Sequence, residues 1–184
     1  NNITDEIIEY EYESIKGQLA SLSPENDTRS IVGDDYADLT NRLYGNNDVV
    51  GPFADHGTHV AGIVAAMRNN GIGIDGIADN VEIMVLRTVP NGDERDKDVA
   101  NAIRYAAENG AHVINMSFGK SYSPEKFYVD DAVRFADSLG VLMVHGAGND
   151  GDDIDIEDNF PNRNYESGGM AVNWLEVGAS APAI

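Results

Sequence analysis

The chain has 184 residues, with 32 acidic and 12 basic side chains, no cysteine and a formal net charge of −20. That length suits one domain with a real core, while the charge argues against nucleic acid and against an anionic membrane leaflet, both of which would repel it. Zero cysteines remove disulfides, thiol catalysis and thiolate metal sites, and no apolar run approaches the roughly 18 residues of a membrane span.

The acids are unevenly spread: residues 1–55 carry 12 against 3 bases, 56–139 carry 12 against 8, and 140–184 carry 8 against 1. Asn1 is not an initiator and the last residues follow a strand-like run directly, so the chain reads as a segment of something longer. Thr4 to Leu22 is expected to be a helix, with Asp5, Glu6 and Glu9 early, Lys16 late, and an apolar stripe of Ile7, Ile8, Tyr12, Ile15 and Leu19. Residues 23–55 read as irregular, with only Ile31-Val32 suggesting a strand. His56–Asn69 reads as a helix rich in small residues, Asn69–Asp79 as a loop, and Val81–Val89 as a strand. The amphipathic helix Asp96–Asn109 then precedes a strand over His112–Ser117, and a helix over Pro124–Leu139 precedes one over Val141–Val144. An acidic loop over 149–169 leads to the strand Met170–Val177.

Strands alternating with helices in this way give βαβ units, hence an α/β fold: three layers, with a mainly parallel sheet flanked by helices. In such sheets functional groups collect at the carboxyl ends of strands. That rule points to Ser117-Phe118-Gly119 and to Gly146-Ala147-Gly148-Asn149, each just past an expected strand.

Asp55-His56-Gly57-Thr58-His59 opens a helix. A helix N-terminus opposes positive charge, so His56 is expected to be neutral and able to accept a proton. His59 shares roughly its face, but a zinc reading needs a third ligand and usually i,i+4 spacing. In the Gly146–Gly151 segment small residues let a substrate approach the backbone, and the Asn149 amide can donate to an oxyanion. Taken alone, Gly-Asn-Asp-Gly is simply a turn.

HGTHVAGIVAA, INMSFG and GAGNDG, in that order and at these separations, resemble the subtilisin-like serine peptidases. NNGIGIDGIADNVEIMVLRTV and VGAS are similar to further family segments, so the resemblance runs from about residue 45 to 181. It implies that His56 is the general base and Asn149 the oxyanion donor. Ser117 and Gly119 would bind the substrate main chain, with Gly146, Ala147 and Gly148 as the facing wall. Thr58 and His59 would orient and pack the helix start.

A triad also needs an aspartate and a serine, in the family order Asp, His, Ser. No Asp-Thr/Ser-Gly motif precedes His56; Asp34 and Asp35 are the nearest imitation and read as solvated loop acids. Ser180, in Gly-Ala-Ser-Ala-Pro, matches a strand end better than a nucleophile. Both triad partners are therefore expected outside the chain, the subtilisin-like fold incomplete at both ends, and the 184 residues alone inactive. Residues 1–44 then read as an acidic helical and loop insertion between the aspartate and histidine motifs, and 45–184 as the central part of the catalytic domain.

No cofactor is required on this reading. Structural calcium is the family's habitual stabiliser, and Asn70 with the Ile72–Ile74 carbonyls resembles part of one such site; the acids from Asp150 to Asp158 read as a solvated loop. The partner is a peptide or protein substrate, with self-association of a sheet lacking flanking strands, and the resemblance implies secretion or a cell-envelope location. Two other readings stay open: a pseudopeptidase that binds peptide without cleaving it, and a metal-binding module using His56 and His59.

Overall fold

In chain order the elements are α1 (Arg29–Val32), α2 (Asp55–Ala65), α3 (Asp96–Glu108), β1 (Val113–Met116), α4 (Lys126–Ser138), β2 (Leu142–Gly146) and β3 (Trp174–Val177). They come from a computed structural model that describes residues 8, 9, 12, 13, 15, 16, 19, 29–51, 54–89 and 94–180. The described residues between 8 and 19 are helical, and the rest of the expected Thr4–Leu22 helix lies outside the described residues. The chain divides into two units, Asn1–Asn46 with Thr88–Ile184, and Asn47–Arg87.

In the larger unit, α3 buries Val99, Ala100, Ile103, Ala106 and Ala107, the i, i+1, i+4, i+7, i+8 stripe of an amphipathic helix. Asp96 and Asp98 in its first turn suit the helix dipole. Helix α4 buries Val129, Ala132, Val133 and Ala136 in the same rhythm, and the alanines let the two helices pack closely. Strands β1, β2 and β3 form a parallel sheet in that order, with Met116 opposite His145 and His145 opposite Glu176. Along β2 the inward residues are Met143 and His145, as a period of two requires. Met116, Met143 and Trp174 of the sheet join the helix stripes in one core.

Some expected elements changed. Residues 81–89 form no strand, although their letters suit one: a strand exists through its ladder, and the apolar run Val81–Val85 is exposed. Ile31-Val32 lies in α1, where the Arg29 carbonyl accepts from Asp34 N at 3.1 Å and the Ser30 carbonyl from Gly33 N at 3.3 Å, closing a helical turn. The last strand begins at Trp174, not Met170, because the Asp137 carboxylate takes the Val172 and Asn173 N–H groups at 3.1 and 2.7 Å.

In the smaller unit, α2 stops at Ala65, short of the expected Asn69. The returning chain takes its last carbonyls: Ile77 N donates to Ile63 O at 3.0 Å and Ala78 N to Val64 O at 2.9 Å, bonds that Met67 and Arg68 would otherwise make. Among the described residues no helix is long and apolar enough to cross a membrane.

Candidate active site

The carboxyl ends of β1 and β2 release their chains side by side, since Met116 and His145 are register partners. From β1 the chain continues as Ser117-Phe118-Gly119. Ser117 is exposed, and its Oγ accepts from Asn115 Nδ2 at 2.9 Å. Phe118 is half-buried and packs against the core. Lys120 then exchanges two main-chain bonds with Phe160, donating at 3.1 Å and accepting at 2.8 Å, which ties the segment to the chain beyond the acidic loop.

From β2 the chain continues as Gly146-Ala147-Gly148-Asn149. Ala147 N donates to Val177 O at 3.0 Å, anchoring the segment to the far end of β3. Gly148 has φ +90°, a conformation that side chains rarely adopt, and the turn presents Asn149 exposed to solvent. Six sequence-predicted positions thus gather at one end of the sheet: Ser117 and Gly119 on one segment, Gly146, Ala147, Gly148 and Asn149 on the other.

Asn159, which the sequence did not single out, sits between these segments. Its Nδ2 donates to Gly146 O at 3.0 Å, and its Oδ1 lies where a Cβ on Gly119 would come within 2.3 Å of it. Residue 119 must therefore be glycine while Asn159 keeps this position. The only sequence signal was an asparagine closing an acidic run.

His145 was missed as well. It is fully buried, one residue before Gly146, with Nε2 2.8 Å from Phe118 O and Nδ1 2.9 Å from a Glu176 carboxylate oxygen. The other Glu176 oxygen accepts from Trp174 Nε1 at 2.7 Å. No periodicity marks a histidine in an apolar strand as anything but a strand residue.

His56 is described within the smaller unit by itself. It is the second residue of α2 and exposed. Thr58 and His59, expected to pack the helix start, are exposed too. Ser180 lies beyond β3 and is exposed.

Asp34 corrects its reading as a solvated acid. It is buried, held by Arg29 and by the fully buried Lys97, whose ammonium also donates to Asp35 O at 2.7 Å. Burial alone would push its carboxyl up, but the hydrogen bonds and charges of Lys97 and Arg29 outweigh this and hold it below the usual carboxylate range. Arg29 also reaches Asp98 at 2.6 Å, so α1 is pinned to the start of α3 by charge.

Asn70 Oδ1 accepts from Ile72 N at 2.8 Å, which folds its amide oxygen back onto its own loop, and residues 150–158 are all exposed. Among the described residues no three His, Asp or Glu side chains are grouped to hold a metal.

Comparison with known proteins identifies the family. The model of the Subtilase family, Peptidase_S8, matches residues 2–183. The chain is 43% identical over 104 residues to the thermophilic serine proteinase of Bacillus sp. (strain AK1), which covers 56% of this chain and 25% of that protein. It is 40% identical over 118 residues to thermitase of Thermoactinomyces vulgaris, covering 64% and 40%. To the major intracellular serine protease of Bacillus subtilis (strain 168) it is 39% identical over 111 residues, covering 59% and 34%. The chain thus spans between a quarter and two-fifths of these relatives. Among solved structures, a psychrophilic protease, S41, superposes with a TM-score of 0.53 at 31% identity, covering 66% of this chain and 38% of that one.

Proposed function

Because the chain belongs to the subtilase family, we propose that its protein is a serine endopeptidase, with His56 as general base and Asn149 as oxyanion donor. The observation that carries this reading is the meeting of Ser117–Gly119 with Gly146–Asn149 at the carboxyl ends of two adjacent parallel strands. An extended peptide laid against Ser117 and Gly119 has its scissile carbonyl directed toward the Asn149 amide. A serine oxygen attacks that carbon while His56 takes the serine proton, and the negative oxygen is stabilised by Asn149 Nδ2–H. His56 then gives the proton to the departing amine, and water repeats the sequence to release the acyl group.

The attacking serine, and the aspartate that orients His56, come from outside residues 1–184, so these residues alone cleave nothing. Asn159, between the two segments, forms the floor against which the substrate side chain rests. No cofactor enters the reaction. The protein is secreted or held at the cell envelope, though the word intracellular in one relative's name shows that the family is not bound to that compartment.

The test is hydrolysis of a tetrapeptide p-nitroanilide by the full-length protein. His56→Ala is expected to abolish turnover above the residual binding contribution. Asn149→Ala is expected to lower kcat by about 10²–10³ with KM little changed, the cost known for losing this asparagine donor in subtilisin. Unchanged kcat in Asn149→Ala would refute the assignment.

A further inference from the structure

One polar side chain beside the candidate site is fully buried. His145 stands inside the sheet core at 0% exposure, where an apolar side chain would be the ordinary occupant. Its ring lies 5.8 Å from Trp174 and 6.5 Å from Phe118, the latter edge-on. Both ring nitrogens face acceptors, Phe118 O at 2.8 Å and the Glu176 carboxylate at 2.9 Å. A carbonyl can only accept, so Nε2 donates to it. The Glu176 carboxylate is itself held by Trp174 Nε1. The result is a three-residue chain of hydrogen bonds, from β3 through β2, that ends on the main chain beyond β1.

The position of that end matters. Along an extended chain, main-chain groups of alternate residues face opposite sides. Lys120 faces Phe160 with both its N–H and its carbonyl, and Phe118, two residues earlier, turns its carbonyl to His145. The fold therefore holds Phe118 and Lys120 through their main-chain groups, and the alternation of an extended chain would direct those of Ser117 and Gly119 to the other edge.

We propose that His145, braced by Glu176, is a positioning residue for substrate binding: it grips the Phe118 carbonyl so that Ser117 and Gly119 present their main-chain groups to the peptide. It touches no substrate and moves no proton in the reaction. The proposal rests on the assignment of Ser117 and Gly119 above, and adds to it the residue that sets their orientation. It also explains why a polar side chain occupies a core position immediately before the oxyanion segment: the same residue ties the two walls together.

The test uses the full-length protein, with His145→Leu and His145→Gln. Glutamine places an amide donor near the Nε2 position and keeps the grip; leucine fills the space and loses it. Two readouts are taken: kcat and KM on the tetrapeptide p-nitroanilide, and the dissociation constant of the tetrapeptide acid by calorimetry. His145→Leu is expected to raise both KM and the dissociation constant about tenfold, with kcat within about threefold, while His145→Gln stays within about threefold of the parent in each. Equal weakening in both variants, or unchanged peptide binding in His145→Leu, overturns the proposal. If the leucine variant does not fold, the glutamine variant decides: parent-like binding supports the grip, and tenfold loss overturns it. A parent protein that binds the peptide without cleaving it refutes the catalytic reading, while the dissociation constants still judge His145.

Discussion

Lys97 and Asp34 show how far a residue's role can depart from its letter. Lysine in the first turn of a helix reads as solvent-facing, yet Lys97 is fully buried, with Asp34 and the Asp35 carbonyl around its ammonium. Removing one partner of such a pair leaves an uncompensated buried charge, which costs about 3–5 kcal/mol. Asp34→Asn is expected to destabilise the protein by about that amount in urea unfolding at neutral pH. The pH dependence has a definite sign. The folded Asp34 carboxyl titrates below its unfolded value of about 3.9, so its contribution is present above that value and is lost as pH falls through the lower folded one. The gap between parent and Asp34→Asn should therefore narrow on acidification below about pH 4, and a gap that widens would contradict the assignment. Tyr36 and Tyr44 nearby are pushed well above the ordinary phenol range, by burial first and then by Glu125 and Asp98 respectively, so both stay neutral and donate to those carboxylates at 2.9 and 2.6 Å. None of this was visible in the string, because the partners are 63, 89 and 54 residues apart.

At the scale of elements, pattern and outcome agree where an element's own residues decide it. Helices α3 and α4 follow their apolar stripes to within a few residues of the expected ends. They diverge where a distant group competes for the backbone. Val172 and Asn173 continue the β3 letters, but Asp137 at the end of α4 takes their N–H groups and also the Asn173 side-chain amide at 2.9 Å. Asp137 thus sets where the third strand starts. Asp137→Ala strands these donors and is expected to cost about 2–3 kcal/mol, read as a lower unfolding midpoint, with amide exchange faster at 172 and 173 than in β2. Equal protection in parent and variant would show that the carboxylate is dispensable. The same competition ends α2, whose Ile63 and Val64 carbonyls serve residues 77 and 78 and not the next helical turn.

At the scale of the whole molecule, the two facts that opened the sequence reading, length and charge, have different consequences. A parallel sheet is ordinarily covered on both faces. Here Val113 of β1 and Leu175 and Val177 of β3 are about half exposed. The 184-residue chain on its own is therefore expected to self-associate, giving a concentration-dependent sedimentation coefficient; a monomer at all concentrations would count against it. The charge of −20 opposes association through long-range repulsion, so added salt should promote it. Beside Asn149, six acids from Asp150 to Asp158 stand exposed.

By itself the sequence determined the fold class, the two long helices and the family, because hydrophobic period and contiguous motifs are local properties of a string. The gathering at the ends of β1 and β2 was readable to the extent that its residues lie in such motifs: Ser117, Gly119 and Gly146 to Asn149. Tertiary structure alone decided which polar groups leave water. It buried Lys97 against Asp34, set Asn159 between the two strand ends, and placed His145 behind Phe118. Those outcomes depend on desolvation and on hydrogen-bond partners tens of residues away, and neither is written in any local window of the chain.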